Sequence, residues 1–303
     1  MNEIKQNSPY AWFLAARPKT LTGAIIPVLL GSALAFSDGQ FKTAPALLCA
    51  LFACGMQIAA NFINDLFDFQ KGTDRREDRL GPQRACAEGW ITPAAMKTGI
   101  GIALTLSCLA GLAVLFTVWG QLPHGGWELV ALGVVCILFA FLYTTLLSYR
   151  GWGDVLVLVF FGFVPVCGTY YVQAYTLNMD VVVLSLVSGL AIDTLLMMNN
   201  YRDREQDAVS GKCTLVVRYG KKFGENMYLA LGIAAVLLCF WFVYTGKLTP
   251  LEFIWAPCVY LYMHALTWRK MIQIGSGKKL NSILGETSRN MLFLGLLLAV
   301  ALN

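Results

Sequence analysis

Charged residues are scarce in this sequence. Only 14% of its 303 residues are Asp, Glu, Lys or Arg, whereas soluble domains carry about 25%. Histidine occurs twice, and the nine cysteines include no Cys-x-x-Cys pair, so the spacing typical of a zinc site or a disulfide framework is missing. These shortages argue against an ordinary soluble domain and a cysteine-based metal site. The net charge of +5 is modest, and we expect no nucleic-acid partner.

Apolar residues make up 57% of the chain and gather in runs near the ~20 residues that cross a bilayer. The runs are too long and too uniformly apolar for the alternating strands of a membrane barrel. They predict an all-α polytopic membrane protein, a single domain over residues 1–303. Its nine transmembrane helices would lie at about 20–37, 43–69, 95–118, 127–147, 152–173, 180–201, 223–245, 249–268 and 285–302.

Lysine and arginine are distributed very unevenly between the two sides of this topology. Nearly all of them fall in the N-terminal segment and the even-numbered loops, and only Lys42 and Lys247 lie in loops on the other side. By the positive-inside rule, the N-terminus is cytoplasmic and the C-terminus outside. The polar first 19 residues do not resemble a cleaved signal. We therefore expect a multi-pass protein of the plasma (cell inner) membrane.

Two of the predicted spans end in acidic stretches, and both ends lie on the cytoplasmic side. The first stretch runs from Gln57 to Asp78 and the second from Met197 to Lys212. Carboxylates attached to membrane helices are costly, so by default they mark a functional site. The alternative is that both stretches are solvated helix ends with ordinary capping and surface charges. Two matched stretches on one membrane face favour the functional interpretation.

The spacing within each stretch indicates the chemistry. Residues three and four apart share a helix face, so each helix end presents a column of oxygen ligands. Such ligands suit Mg²⁺, which takes one or two carboxylates and completes its coordination with water and phosphate. Two facing columns can hold two Mg²⁺ with a diphosphate between them, and neighbouring cations can contact its oxygens. The columns are Asn64, Asp65 and Asp68 in the first stretch and Asn199, Asp203 and Asp207 in the second; the cations are Lys71, Arg75, Lys212 and Arg218.

The same stretches resemble the motifs of a known family. NDLFDFQKGTD resembles the first aspartate-rich motif, NDxxDxxxGxD, of the UbiA superfamily of intramembrane prenyltransferases, and RDREQD resembles the second, DxxxD. Three further segments resemble the branch that prenylates 1,4-dihydroxy-2-naphthoate in menaquinone synthesis. They are LGPQRACAEGWITP, FGFVPVCGTYYVQ and MNNYRDREQDAVSGKCTLVVRYG. The order and spacing of these segments match that branch over nearly the whole chain.

This resemblance implies a nine-helix bundle around a central cavity that opens laterally to lipid. Two cap loops, at about 70–94 and 202–222, would cover it on the cytoplasmic side. It also implies Mg²⁺-dependent ionisation of an allylic polyprenyl diphosphate, attack by the aromatic ring, and loss of the ring carboxylate as CO₂, giving demethylmenaquinone. The family's metal and diphosphate positions match Asn64, Asp68, Asp203 and Asp207, and the catalytic positions with less direct roles match Asp65 and Asp74.

Several other residues are candidates for the site. Arg150 follows Tyr149 in a Tyr-Arg-Gly segment that matches the family, and its planar guanidinium suits an aromatic carboxylate. The alternative for Arg150, and for Arg17 before the first span, is a topology anchor. Asp193 lies deeper in the sixth span and would stabilise a cationic intermediate, pair with an arginine or form a buried hydrogen bond. The remaining candidates for substrate binding are Asn61, Asn199 and Asn200.

Two other functions remain open at this point, and a third is excluded. Another UbiA-type acceptor, such as 4-hydroxybenzoate or homogentisate, would use the same acidic motifs. An ion-coupled transporter also carries intramembrane acids, although its site is typically near the midplane on broken helices, whereas these acids gather at one face. A soluble prenyl-diphosphate synthase uses aspartate-rich helices too, but the predicted spans exclude it.

Overall fold

The computed structural model describes residues 4–72 and 79–303, and across these ranges the regular structure is helical without strands. The predicted all-α class is confirmed. The helices are α1 (Pro9–Ala16), α2 (Pro18–Ser37), α3 (Thr43–Gln70), α4 (Pro93–Thr117), α5 (Trp127–Leu142), α6 (Gly153–Val157), α7 (Val164–Ala174), α8 (Met179–Val209), α9 (Leu215–Tyr219), α10 (Lys221–Leu238), α11 (Phe240–Tyr244), α12 (Pro250–Phe253), α13 (Val259–Ile274) and α14 (Leu280–Ala301).

Seven helical segments of the described chain are long and apolar enough to cross a membrane. They are α2, α3, α4, α8, α14, the α6–α7 segment joined by a π-helical turn, and the α10–α11 segment. The other two predicted spans coincide with α5, which is only 16 residues long and runs into a π turn, and with α12–α13, which a π turn containing Pro257 divides. Proline lacks the N–H that a regular helix needs, which accounts for that irregularity. The count of nine spans stays a prediction.

Helix α8 is the most buried of these segments and lies at the centre of the bundle. It packs closely against the α6–α7 segment because glycines face each other at the crossing. A Cβ atom on Gly162 would lie 2.5 Å from the carbonyl oxygen of Ser185, and one on Gly189 would lie 3.1 Å from the Cα of Leu158. Small residues of this kind let membrane helices approach backbone to backbone.

The loops that the topology assigns to one side meet in the folded chain. Asn7 N donates to Trp90 O at 2.8 Å, and Cys213 N donates to Tyr149 O at 3.0 Å. The ends of α3 and α8 lie at this end of the bundle. Helix α8 extends to Val209, so residues 202–209 of the predicted second cap loop are helical, and the loop proper is residues 210–214. Its acids therefore keep helical spacing.

Candidate active site

The C-terminal end of α3 carries the first acidic stretch on a buried face. Asn61, Asp65 and Asp68 are 3%, 1% and 7% exposed, and Asn64 lines the main cavity of the bundle. Asn61, Asp65 and Asp68 follow one another at intervals of four and three positions, and Asn64 is four positions before Asp68, so one side of the helix presents them. Their surroundings nevertheless differ, and each side chain has a distinct set of contacts.

Asn61 binds the junction between α1 and α2. Its Nδ2 donates to Ala16 O and to Thr20 Oγ1, both at 2.9 Å. Arg17 occupies this junction in the left-handed region, with φ at 52°, which is unusual for a residue with a side chain. The predicted substrate contact at Asn61 is thus engaged with the backbone beside Arg17, and it supports that arginine's unusual conformation.

Arg17 points from this junction into the acidic site. Its Nη2 lies 3.8 Å from Asp65 Oδ2 and is buried without a hydrogen-bond partner among the described residues. Burial lowers the pKa of Arg17, and the charges of Asp65 and Asp68 oppose that shift. An arginine stays protonated in proteins, so the site keeps a cation with a spare N–H donor.

Asp65 fastens the loop between α3 and α4. Its two carboxylate oxygens accept hydrogen bonds from Ala85 N and Cys86 N, each at 2.9 Å. Burial and the adjacent Asp65 charge raise the pKa of Cys86 to about 12, so this thiol stays neutral. The geometry gives Asp65 a positioning contact with the loop. Asp74 and Arg75, which were predicted to act nearby, lie outside the described residues.

Asp68 faces cations of the same loop. Arg84 Nη2 lies 3.6 Å from Asp68 Oδ2. Arg79 interacts electrostatically with Asp68 as well. Burial and, to a smaller extent, the charge of Arg17 lower the pKa of Arg79 to about 10, whereas the charges of Asp203 and Asp68 raise it. A guanidinium with that pKa is still charged at neutral pH. The loop therefore brings cations to the acids, as a diphosphate site needs.

The second stretch lies on the last turns of α8. Arg202 donates to both oxygens of Asp203, from Nε at 2.7 Å and from Nη2 at 2.6 Å. Asp207 Oδ1 is 4.0 Å from Lys212 Nζ. Asn199 lines the main cavity, as Asn64 does on α3, whereas the neighbouring Asn200 is partly buried and does not line it.

Tyr149 connects the two stretches. Lys71, just after α3, places its Nζ 4.2 Å from the centre of the Tyr149 ring, and Lys212, just after α8, lies 5.4 Å from it. Cation–π contacts of this kind hold ammonium groups over an aromatic face. The Tyr149 hydroxyl is buried and has no hydrogen-bond partner among the described residues. The lysines that follow the two stretches thus converge on one ring.

Arg150 and Arg218 lie together in a different place. They line a separate surface pocket with Tyr149, Trp152 and Cys213, and neither borders the main cavity. In the part of the chain that the structure describes, neither arginine has an acidic partner. Arg218 was predicted beside the phosphate contacts, and the structure places it with Arg150 instead.

The main cavity has a volume of about 560 Å³ and is mostly apolar. Asn64, Asn199 and Tyr143 line its polar end, and the lining extends along α3 as far as Cys49. These 15 residues of helix correspond to about 22 Å of depth. Exposed residues of α4 and α5, such as Leu112 and Val134, also line it, so the cavity reaches the surface between these helices. It suits a long apolar substrate with a polar head.

The acids suit a metal ion that takes only some of its ligands from the protein. Among the residues described, no three Asp, Glu, His or Cys side chains form a complete metal cage. Mg²⁺ does not need one, because it keeps several waters and binds substrate phosphates through one or two carboxylates. The donor set at the cavity mouth consists of amide and carboxylate oxygens on two helices, which fits Mg²⁺ with a phosphate ligand.

Comparison with known proteins agrees with this site. The model of the UbiA prenyltransferase family matches residues 24–282. The chain belongs to this family. It is 38% identical over 242 residues to the 1,4-dihydroxy-2-naphthoate octaprenyltransferase of Escherichia coli (strain K12), covering 79% of this chain and 78% of that one. It is 34% identical over 301 residues to the protein of the same name from Mycobacterium leprae (strain TN), covering 96% of each chain.

A solved structure shows the same fold. The UbiA homologue from Archaeoglobus fulgidus bound to GPP and Mg²⁺ has a TM-score of 0.64 over 96% of this chain and 99% of that one, at 13% identity. The predicted family and the predicted prenyltransferase activity are confirmed. This UbiA-type prenyltransferase is an integral membrane protein, as its apolar helices indicate.

Sequence reasoning missed several residues of the site. Asn281 comes from a segment whose hydropathy and spacing give no sign of its contacts. Arg79 and Arg84 belong to the predicted basic cap loop, but their individual contacts with the acids were not predicted. Arg202 was visible next to Asp203, but adjacency along a helix does not indicate a salt bridge. Asp193 is 1% exposed and Asp154 is 6% exposed. Among the described residues, the Oδ1 atom of each has no hydrogen-bond partner, and Asp193 has no ion pair with an arginine.

Proposed function

We propose that this prenyltransferase transfers a polyprenyl group from an allylic polyprenyl diphosphate to 1,4-dihydroxy-2-naphthoate, with release of diphosphate and CO₂. The product would be the quinol form of demethylmenaquinone, an intermediate of menaquinone synthesis. One observation carries the proposal. The two columns of oxygen ligands, on α3 and α8, lie at the polar end of a deep apolar cavity. The names of the relatives at 34–38% identity support the naphthoate acceptor.

The diphosphate would bind between the inner ends of α3 and α8. Asn64, Asp68, Asp203 and Asp207 are the residues that would hold Mg²⁺, and we propose two ions. Bound Mg²⁺ supplies charge neutralisation to the departing diphosphate. The cations add to this effect because charge develops on the leaving oxygens as the bond breaks. Those proposed to contact phosphate are Arg17, Arg84, Lys71 and Lys212.

The prenyl chain would lie in the apolar cavity, which excludes water from the allylic carbon. The carbon–oxygen bond to diphosphate breaks with its electrons going to the leaving group. Electrons of the naphthoate ring then form the new carbon–carbon bond. The carboxylate leaves as CO₂, and the electrons of its bond return to the ring. Asp65 assists by keeping the α3–α4 loop in place.

Arg150 is the proposed contact for the acceptor's carboxylate. It lines the separate surface pocket beside Tyr149, which faces the cytoplasm in our proposed topology, where a polar aromatic acid arrives from water. Its planar guanidinium binds a carboxylate through two parallel hydrogen bonds. A UbiA-type enzyme with 4-hydroxybenzoate or homogentisate as acceptor is the second candidate, because those acids present the same kind of polar group.

An acceptor panel tests the proposal directly. Membranes containing the recombinant protein are given defined prenyl diphosphates and Mg²⁺ with dihydroxynaphthoate, 4-hydroxybenzoate or homogentisate, and products are identified by mass spectrometry. We expect a decarboxylated prenyl naphthoquinol, and the masses also report the chain length used. Product from 4-hydroxybenzoate with none from dihydroxynaphthoate would overturn the acceptor assignment.

A further inference from the structure

A chain of hydrogen bonds connects the loop after the first motif to the second motif through the last helix. Asn281, near the start of α14, donates from Nδ2 to Leu80 O at 2.7 Å. Its Oδ1 accepts from Arg202 Nη1 at 2.9 Å. Arg202 in turn holds both oxygens of Asp203. Residues 201 positions apart in the chain are therefore joined at one point.

The contact between Arg202 and Asp203 needs such support from outside. Adjacent residues of a helix point about 100° apart and do not ordinarily face each other. Here the Arg202 side chain is 3% exposed and still reaches both oxygens of its neighbour. Asn281 binds the Nη1 group of the Arg202 guanidinium, and the loop after the first motif packs against Nη2. A Cβ atom on Gly81 would lie only 2.8 Å from Arg202 Nη2.

This arrangement orients Asp203 in a defined way. A carboxylate has about four lone-pair sites, and Arg202 occupies one on each oxygen. The remaining two point away from the guanidinium. Because the arginine is buried and cannot lose its proton, it always requires its acidic partner. Asp203 therefore has one fixed orientation, and its position is coupled to the loop through Asn281.

We infer that Asn281 and Arg202 are positioning residues that orient Asp203 toward bound metal and diphosphate and hold residues 79–82 against the second motif. This inference rests on the proposed diphosphate site. It adds a contribution from α14, which carries none of the family motifs discussed above. Groups that orient a metal ligand commonly change metal affinity about 10- to 100-fold when they are removed.

Two variants of Asn281 distinguish its hydrogen bond with Arg202 from its hydrogen bond with Leu80 O. Asn281→Ala removes both hydrogen bonds. Asn281→Asp keeps an acceptor oxygen for Arg202 but replaces the N–H donor that binds Leu80 O. Asn303→Ala is the matched control, because Asn303 Nδ2 also donates to backbone carbonyls, Ala33 O and Ala299 O, at the opposite end of α14. Arg202→Lys, which cannot form the two-pronged contact, is compared with Arg204→Lys on the same helix.

Two measurements are made on the full-length protein in detergent. The first is the Mg²⁺ concentration that gives half-maximal transfer. The second is hydrogen–deuterium exchange of residues 79–86, with and without inorganic diphosphate and Mg²⁺. We expect Asn281→Ala and Arg202→Lys to raise the half-saturating Mg²⁺ about tenfold. Asn281→Ala should also abolish the protection of residues 79–86, which inorganic diphosphate with Mg²⁺ gives to the parent protein.

Asn281→Asp should speed exchange of this loop while leaving the Mg²⁺ requirement near that of the parent protein. An unchanged Mg²⁺ requirement in both Asn281→Ala and Arg202→Lys would overturn the inference, as would equal effects of the Asn303→Ala control. The exchange experiment needs no acceptor or turnover. Failure of the naphthoate assignment would appear as missing product in the parent protein, independently of these shifts.

Discussion

The two ends of the bundle both collect charged residues, but they use them differently. At the end opposite the site, Lys247 contacts Asp38 and lies 3.8 Å from Asp180. Tyr170 donates to Asp38 at 2.6 Å, and Trp241 donates to Asp180 at 2.7 Å. Each acid there has partners from other helices. The network ties five segments of the chain together, with one lysine between two carboxylates.

The site end contains more cations, and some of its buried polar groups have no hydrogen-bond partner among the described residues. Arg17 has a buried N–H group without a partner among the described residues, and the Tyr149 hydroxyl is in the same state. Buried polar groups normally find partners, so unsatisfied donors in a charged cleft indicate a ligand. We therefore infer that one end serves stability and that the other binds an anion. This difference can be tested with matched substitutions.

The largest difference in turnover is expected between variants of two acids at opposite ends of α8, Asp203 and Asp180. Asp203→Ala should lower turnover about 100- to 1,000-fold, the range for losing one group that stabilises developing charge. Asp180→Ala, the same change at the other end of the same helix, should leave the turnover of folded enzyme unchanged. Product formation per folded protein, with folding checked by gel filtration, measures both. Equal losses in the two variants would contradict the functional division between the ends.

A second comparison separates positioning from stability. Asp65→Ala leaves Ala85 N and Cys86 N buried without their acceptor, at a cost of about 1–3 kcal/mol per unsatisfied group. We expect faster tryptic cleavage at Arg84, together with a lower turnover. Asp38→Ala should lower thermal stability without affecting cleavage at Arg84. If Asp65→Ala left the loop as resistant as before, its assigned contact would be wrong.

Lys247→Met tests only the end opposite the site. Burial disfavours the Asp38 charge, but hydrogen bonds from Lys247 and Tyr170 and the Lys247 charge together hold the pKa of Asp38 below its ordinary value. Its stabilising contribution is therefore present at neutral pH and lost as the pH falls below about 4. The variant should lose about 2 kcal/mol at pH 7 and show a weaker acid dependence. Thermal melts across pH measure this, and turnover at permissive temperature should persist.

The smallest effect is expected at Asp193, where substitution should stabilise the protein instead of destabilising it. Its buried Oδ1 has no hydrogen-bond partner among the described residues, and burying such a group costs about 1–3 kcal/mol. Replacing it with a leucine of similar shape, Asp193→Leu, should raise the melting temperature by a few degrees, since 1 kcal/mol corresponds to about 2–4 °C. A lower melting temperature would show that the carboxyl has a partner. Reduced turnover in a stabilised variant would assign it to the reaction.

The boundaries of the long helices were largely predictable. The predicted spans 20–37 and 43–69 correspond to α2 (Pro18–Ser37) and α3 (Thr43–Gln70), because hydropathy changes sharply where the chain leaves the apolar region. The π turn at residues 143–147 was not predictable, since only one extra residue in a turn distinguishes a π turn from a regular helix, whereas Pro257 marked the break at 254–258. Hydropathy is nearly the same in a π turn and in a regular helix.

The sequence by itself determined the acidic columns, the cation-rich side and the family motifs. Helical spacing is local, so it follows from a few consecutive residues. Only the tertiary structure decided how those side chains divide their work. Asp65 and Asp68 are three residues apart, yet one holds a loop and the other faces Arg84. Asn281 reaches Arg202 and Leu80 because α14 packs beside α8, and such distant contacts depend on the arrangement of the whole bundle.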